Sequence, residues 1–252
     1  MLKTIETHAH SRYARSTRAA LTRALVVCAA SLAALGGSLA HAADVDTIAK
    51  AVKFDDQKSV AKWIKEGLDP NTTDKHGMPL LVLAAREKSD NVAKLLAGAA
   101  NVDLEKVDKA DETALMLAAL NGDTDLVKLL IDKGAEVNKK GWAPLHYAAA
   151  NGHDDIVQLL IDHDAYLDTA SPNGTTPLMM AARGNHITTM KVLLDAGADP
   201  RVKNQLGLTA LDFAKRYHAK DATQGLEDMF ARDAAAAGAS GASAATGQNS
   251  AK

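Results

Sequence analysis

Between residues 44 and 232 the apolar positions come in short helical bursts separated by polar turns. The stretch from Glu112 to Asn138 is representative. Leu115, Ala118 and Ala119 make one apolar face, Asn121-Gly122 interrupts it, and Leu126, Val127, Leu129 and Leu130 make a second before Gly134. The pattern predicts a helix, a tight turn and a second helix. Neither is long enough to persist alone in water, so each apolar stripe needs a neighbour to cover it.

The chain supplies neighbours by repetition. The first small residue after the opening Leu of each unit (Ile48 in the first) falls at Ala51, Ala84, Ala118, Ala148, Ala181 and Ala214, in steps of 33, 34, 30, 33 and 33, which makes six units. The wording recurs with the spacing: TALMLAA at Thr113 to Ala119, APLHYAA at Ala143 to Ala149, TPLMMAA at Thr176 to Ala182 and TALDFA at Thr209 to Ala214. Thr113, Thr176 and Thr209 are placed to cap a first helix, and Pro144 and Pro177 sit in a first turn, where a missing N–H costs nothing. Asn121-Gly122 and Asn151-Gly152 supply left-handed positions between helices, and Gly67, Gly134 and Gly197 end the second helix.

Over these residues the chain resembles the ankyrin-repeat family. The resemblance implies an all-α solenoid of about six helix-turn-helix units joined by short hairpin-like loops. The expected organisation is a first, capping repeat at 44–73, repeats at 74–108, 109–138, 139–170 and 171–203, and a closing cap at 204–232, within a repeat domain of 43–232. Lys50, Lys53, Lys58 and Lys62 suit an N-terminal cap facing water, and Trp63, spaced with Val60 and Ile64, suits packing. The second unit lacks a glycine between its helices and carries Ala100 where a closing glycine is expected, so lower local stability follows. In the fourth unit Asp164 stands at the closing position and must turn left-handed or shift the helix end; in the fifth, Asn185 can supply the positive φ. Residues 233–252, reduced to Ala, Gly and Ser with few other side chains, are expected to be disordered.

The N-terminus reads differently. Arg12, Arg15, Arg18 and Arg23 precede an uncharged run from Ala24 to Leu39 and then Ala40-His41-Ala42, the arrangement of a secretory signal peptide over 1–42, cleaved after Ala42 or Ala43. A retained anchor helix is the competing reading. Cys28, the single cysteine, lies in this segment, so a cleaved chain would hold no thiol for a disulfide, a redox motif or a cysteine metal site. The expected destination is the periplasm, with secretion as the alternative. Residues 1–42 carry five of the 29 Lys+Arg and one of the 31 Asp+Glu, so their removal takes the net charge from −2 to −6. A mildly acidic domain is a poor match for phosphate backbones, which argues against nucleic acid as a partner.

No reactive constellation emerges. His146 and His153 occupy positions where the ankyrin resemblance implies structural hydrogen bonds to neighbouring loops. Asp162-His163-Asp164 offers metal-binding side chains, but adjacent residues at a helix end diverge, and no HExxH supports them. There is no GxSxG, P-loop or dinucleotide turn, so no enzyme, metal or cofactor is expected.

What remains is a surface for another protein. In ankyrin proteins partners usually bind the concave face, built from loop tips and the ends of first helices. Carried over position by position, the expected binding residues are Arg86, Glu87, Leu120, Asn121, Asn151, Arg183, Arg216 and Tyr217, with Lys139, Lys140 and Trp142 at an unusually short tip. Trp142 either faces the partner or folds over the truncated loop. The leading expectation is a monomeric, non-catalytic periplasmic interaction protein. A secreted effector, or an immunity or protective factor for a periplasmic toxin or enzyme, is the alternative.

Overall fold

The computed structural model describes residues 44–246, with side chains through 236; the expected signal peptide lies outside the described residues. Among the described residues there are twelve helices and no strand: α1 Val45–Lys53, α2 Gln57–Lys65, α3 Leu80–Glu87, α4 Asp90–Ala97, α5 Ala114–Asn121, α6 Thr124–Asp132, α7 Pro144–Asn151, α8 Asp154–Asp162, α9 Pro177–Arg183, α10 Ile187–Asp195, α11 Ala210–Arg216 and α12 Lys220–Thr246. The connecting loops hold one isolated bridge, Thr73 to Pro79, in place of regular hairpins.

Each odd-numbered helix packs on the next odd-numbered one and on its own partner, and the even-numbered helices form a second row alongside. This nearest-neighbour stacking is what a two-helix unit that cannot bury its own apolar stripe must do. Ala84, Ala118, Ala148, Ala181 and Ala214 are fully buried, so a methyl group at this register sets how closely the inner helices approach. In the first unit the corresponding Ala51 is only half-buried and Val52 takes the fully buried place. Trp63 packs against the core and the four lysines expected on the outer face of that unit are exposed.

The helix starts follow from the threonines. Oγ1 of Thr113, Thr176 and Thr209 accepts from the amides of Met116, Met179 and Asp212 at 3.3, 3.4 and 3.4 Å. His146 replaces that arrangement in the fourth unit: its Nδ1 accepts from the Ala143 amide at 3.1 Å and its Nε2 meets the Thr175 carbonyl of the following loop at 2.9 Å. The structural role expected for this histidine is present, and so is that of His153, whose Nε2 reaches the Leu120 carbonyl at 3.0 Å.

The turns between helices obey a rule across neighbouring units. Gly122, with φ +76°, is followed in the next unit by His153, and a Cβ on the glycine would come within 2.6 Å of the imidazole; Gly152 stands in the same relation to His186 at 2.5 Å. Where the next unit lacks that histidine the glycine disappears. Lys88 (φ 59°), Asp55 (φ 55°) and Asn185 (φ 58°) then hold the left-handed position. Asp55 accepts from the Val92 amide at 2.8 Å and Asn185 from the Ala222 amide at 2.9 Å, so each caps the first turn of the next unit's outer helix.

At the far edge Asp164 does turn left-handed, with φ 61°. Its counterpart in the second unit is Asn101, φ 60°, and not Ala100 as the spacing suggests, because Gly98 sits at φ −85° and the chain runs one residue further before it reverses. Asn71 and Asn138 tie these edges together. Asn138 donates to the Asp164 carbonyl and accepts from the Tyr166 amide, both at 2.8 Å; Asn71 does the same to Asn101 and Asp103 at 2.8 and 2.7 Å.

The last helix departs from expectation. It runs through Thr246, so residues 233–246, expected to be disordered, are helical. Alanine has the highest helix propensity, and a helix nucleated on the packed surface through Ala222 and Leu226 extends into an Ala-rich sequence at little cost.

Candidate functional site

The inner helices present one residue per unit at the same register: Arg86, Leu120, Ala150, Arg183 and Arg216. One turn earlier on the fourth and fifth units stand Tyr147 and Met180. Because the repeat period holds the register, these side chains form a row along one face, apolar in its middle and cationic toward its C-terminal end.

The truncated loop at Lys139 to Trp142 leaves the middle of that row uncovered. Trp142 leans edge-on to His146 (centroids 5.1 Å apart, planes at 74°) and to Tyr147 (6.3 Å, 77°). Its ring walls an apolar recess of about 190 Å³ whose other sides are Leu120, Tyr147, Ala150 and Met180, with His146 at the base. The two expectations for Trp142 merge: it covers its own helix on one side and faces open space on the other.

Tyr147 is fixed from behind. Its hydroxyl donates to Glu112 Oε1 at 2.9 Å, and Glu112 Oε2 accepts from Arg86 Nη2 at 2.9 Å. Arg86 also pairs closely with Asp108, whose side chain is 4% exposed. Burial alone would raise the Asp108 carboxyl, but the amides of Glu112 and Ala110 together with the Arg86 guanidinium hold it below the ordinary carboxylate value. Burial, and then the hydrogen bond to Glu112, push the Tyr147 phenol well above its ordinary value, so it stays a neutral donor. The long loop between Leu104 and Glu112 is thus anchored: Asp108 is in the network, and Glu105 accepts from the Glu136 amide at 2.8 Å.

Several residues expected to meet a partner make contacts within the chain. Arg86 is held as described, and Glu87 pairs with Lys53 at 3.6 Å. Asn121 and Asn151 donate to the Ala85 and Leu120 carbonyls, each at 2.8 Å, stitching consecutive units. Lys139 pairs with Asp111 and is only 16% exposed. The remaining candidates differ. Lys140, Arg183, Arg216 and Tyr217 are exposed, and none of the three cations has an ion pair among the described residues. Arg183 lies over the Tyr217 ring at 4.7 Å, so the two form one stacked unit next to Met180.

Sequence reasoning missed Tyr147 and Met180. The signal was available: both stand one turn before the chosen residues and one repeat period apart, in a position that is apolar from the second unit to the sixth. Asp162 accepts from Gln158 at 2.8 Å and the Asp164 carbonyl receives Asn138, so the acidic residues around His163 serve helix and loop. No three His, Cys, Asp or Glu residues converge among the described residues, and none of the described helices is long and apolar enough to cross a membrane.

The comparisons agree with this geometry. The family described as ankyrin repeats (3 copies) matches at residues 48–140, 81–171, 136–204 and 163–228, together most of the chain. An ankyrin repeat-containing protein of Treponema pallidum is 30% identical over 158 residues, covering 62% of this chain and 42% of its own. The nuclear factor NF-kappa-B p105 subunit of Gallus gallus is 33% identical over 154 residues, 58% of this chain and 16% of its own. The B-cell lymphoma 3 protein homolog of Mus musculus is 28% identical over 169 residues, 64% and 38% respectively. The chain spans less than half the length of each of these relatives. Helix pairs, register, caps and matched sequence together make this chain a member of the ankyrin-repeat family, whose repeats are protein–protein interaction modules.

Proposed function

We propose that this chain is a non-catalytic docking protein that works in the periplasm, holding one protein partner against the face formed by its inner helices and loop tips. The observation that carries this reading is the uncovered apolar recess beside Trp142, together with two exposed cations that have no ion pair among the described residues, Lys140 two residues before Trp142 and Arg183 one turn after Met180. A central desolvated anchor with a polar rim is the anatomy of a protein interface. Rigid neighbours keep the cost of ordering that surface low on binding.

The periplasmic assignment rests on the arginine-flanked apolar run and the small residues at Ala40 to Ala43, together with the confinement of the single cysteine to that segment. Residues 1–42 would be removed and the chain would act as a monomer, without metal or cofactor. Two measurements test the proposal. Cells producing the full chain should release a form shortened by about 42 residues on osmotic shock; recovery of the uncut chain from the cytoplasm would refute the location. Capture of the native partner should fall sharply when Trp142 and Arg183 are both changed to Ala while the thermal midpoint stays within a few degrees; undiminished capture would refute the surface.

A further inference from the structure

The recess beside Trp142 has a size and a charge setting that specify what it can take. At about 190 Å³ it falls below the roughly 300 to 1,000 Å³ of sites that enclose small molecules, and its walls are aromatic rings, aliphatic carbons and a thioether. One protruding side chain fills such a space; a metabolite does not. The carboxylates nearby are already used, since Asp108 and Glu112 meet Arg86 and Tyr147, and Asp111 meets Lys139. Arg86 and Lys139 offset two of these three carboxylates, and two further cations have no ion pair among the described residues: Lys140, two residues before Trp142, and Arg183, one turn along α9 from Met180, which leaves the group one positive charge in excess. Lys140 stands at the loop tip that carries Trp142, and Arg183 is the last residue of α9, one unit further on.

We propose that the recess seats a single large apolar side chain, aromatic or Leu or Met, from an extended acidic segment of a partner protein, with carboxylates flanking that side chain meeting Lys140 and Arg183. The proposal rests on the docking reading above for the face concerned and adds the chemistry of the segment. The recess is built before the partner arrives, because Tyr147 is held by Glu112 and Trp142 by His146, so little is lost in ordering it. Opposite charge on the two sides also orients the segment and speeds its encounter. The loop at Lys139 to Trp142 is about three residues shorter than those of the neighbouring units, and the recess opens beside its Trp142.

The test uses the full chain as target and a display library of random dodecapeptides as probe. Selected peptides should carry one large apolar residue with Asp or Glu within about three positions on both sides. Their affinity for Ala150→Phe, which fills the recess, and for Trp142→Ala should be at least tenfold weaker, and that for Lys140→Glu with Arg183→Glu weaker still, with a salt dependence of the opposite sign because salt then screens a repulsion. Thermal midpoints of the variants identify any that fail to fold, and Met180→Trp serves as a second filling substitution from another unit. Peptides without acidic residues, peptides indifferent to both filling substitutions, or no enriched peptide would each overturn the proposal. Peptides lost on Arg216→Glu but not on filling leave docking on this face intact while removing the recess from it. The chain also carries an exposed aromatic next to carboxylates, Phe54 at 83% exposure before Asp55-Asp56. Concentration-dependent self-association by sedimentation, abolished by Phe54→Ser and by Ala150→Phe alike, would overturn the proposal in favour of a second copy as the occupant.

Discussion

The Tyr147 hydroxyl donates to Glu112 across 2.9 Å, joining a side chain on the fourth unit's inner helix to the residue that precedes the third unit's cap. The bond spans a repeat boundary and adds to the other polar ties between these two units, such as that from Asn151 to the Leu120 carbonyl. Tyr147→Phe should cost about 1 kcal/mol of stability, the usual net value of one hydrogen bond. A double-mutant cycle with Glu112→Ala, read by urea unfolding, should give a coupling energy of the same sign and size; independent effects would mean that the two side chains do not act together.

Arg86 carries a larger share. Its removal leaves Asp108 charged and nearly buried, 4% exposed, with only two amide donors. Arg86→Ala should cost about 2 to 3 kcal/mol, above the value for a surface pair because one partner is desolvated and below that for a fully buried pair because the arginine is one-third exposed. Arg86→Lys should recover only part of this, since one ammonium cannot serve both Asp108 and Glu112 with the fork of a guanidinium. The denaturant midpoint reads both changes.

Acid should loosen the fourth unit through His146. The Ala143 amide can only donate, so Nδ1 of the neutral ring must accept and Nε2 carries the hydrogen given to Thr175. A second proton on Nδ1 would face that amide. Burial lowers the His146 value from the ordinary 6.5, so the unfolded chain takes up the proton more readily. The contribution to stability is complete above about pH 6.5, falls as pH drops below it, and levels off below the folded-state value. Its slope in that window is at most about 1.4 kcal/mol per pH unit. Comparing urea midpoints near neutrality and in mild acid for the parent and His146→Gln should show a smaller acid loss in the variant.

The glycine and histidine of successive units should prove exchangeable only as a pair. Gly152→Ala places a Cβ 2.5 Å from His186 Nδ1 at φ +72°, and should cost about 1 to 3 kcal/mol from backbone strain alone. Adding His186→Ala relieves the collision but not the φ, so only part of the loss should return. Lys88→Gly should instead raise the thermal midpoint slightly, because an exposed lysine there pays for a left-handed backbone with no histidine opposite. Equal effects at the two sites would refute the pairing.

The repeat period, the placement of the caps, the left-handed turns at Asp164 and Asn185 and the packing role of Trp63 are all legible in the residues. Each is local: a threonine three residues before a free amide, or an Asx residue where a helix must stop, acts within one turn of chain. The common register of the candidate residues was legible, but not the contacts they make. The polar atoms of Arg86, Asn121, Asn151 and Lys139 meet Asp108, Ala85, Leu120 and Asp111, each between 22 and 36 residues away. Residues this distant meet only once units stack, and the stacking decides which of them is left over.

The spacing of small and branched apolar residues by itself determined that this chain is a row of two-helix units, because neither helix can bury its stripe without a copy beside it. The tertiary structure decided where the row stays open. Trp142 settles against His146, Tyr147 is pulled to Glu112, and the cations at Lys140 and Arg183 find no carboxylate within reach among the described residues. Those outcomes depend on distances between side chains of different units, which a one-dimensional period constrains in register but not in orientation.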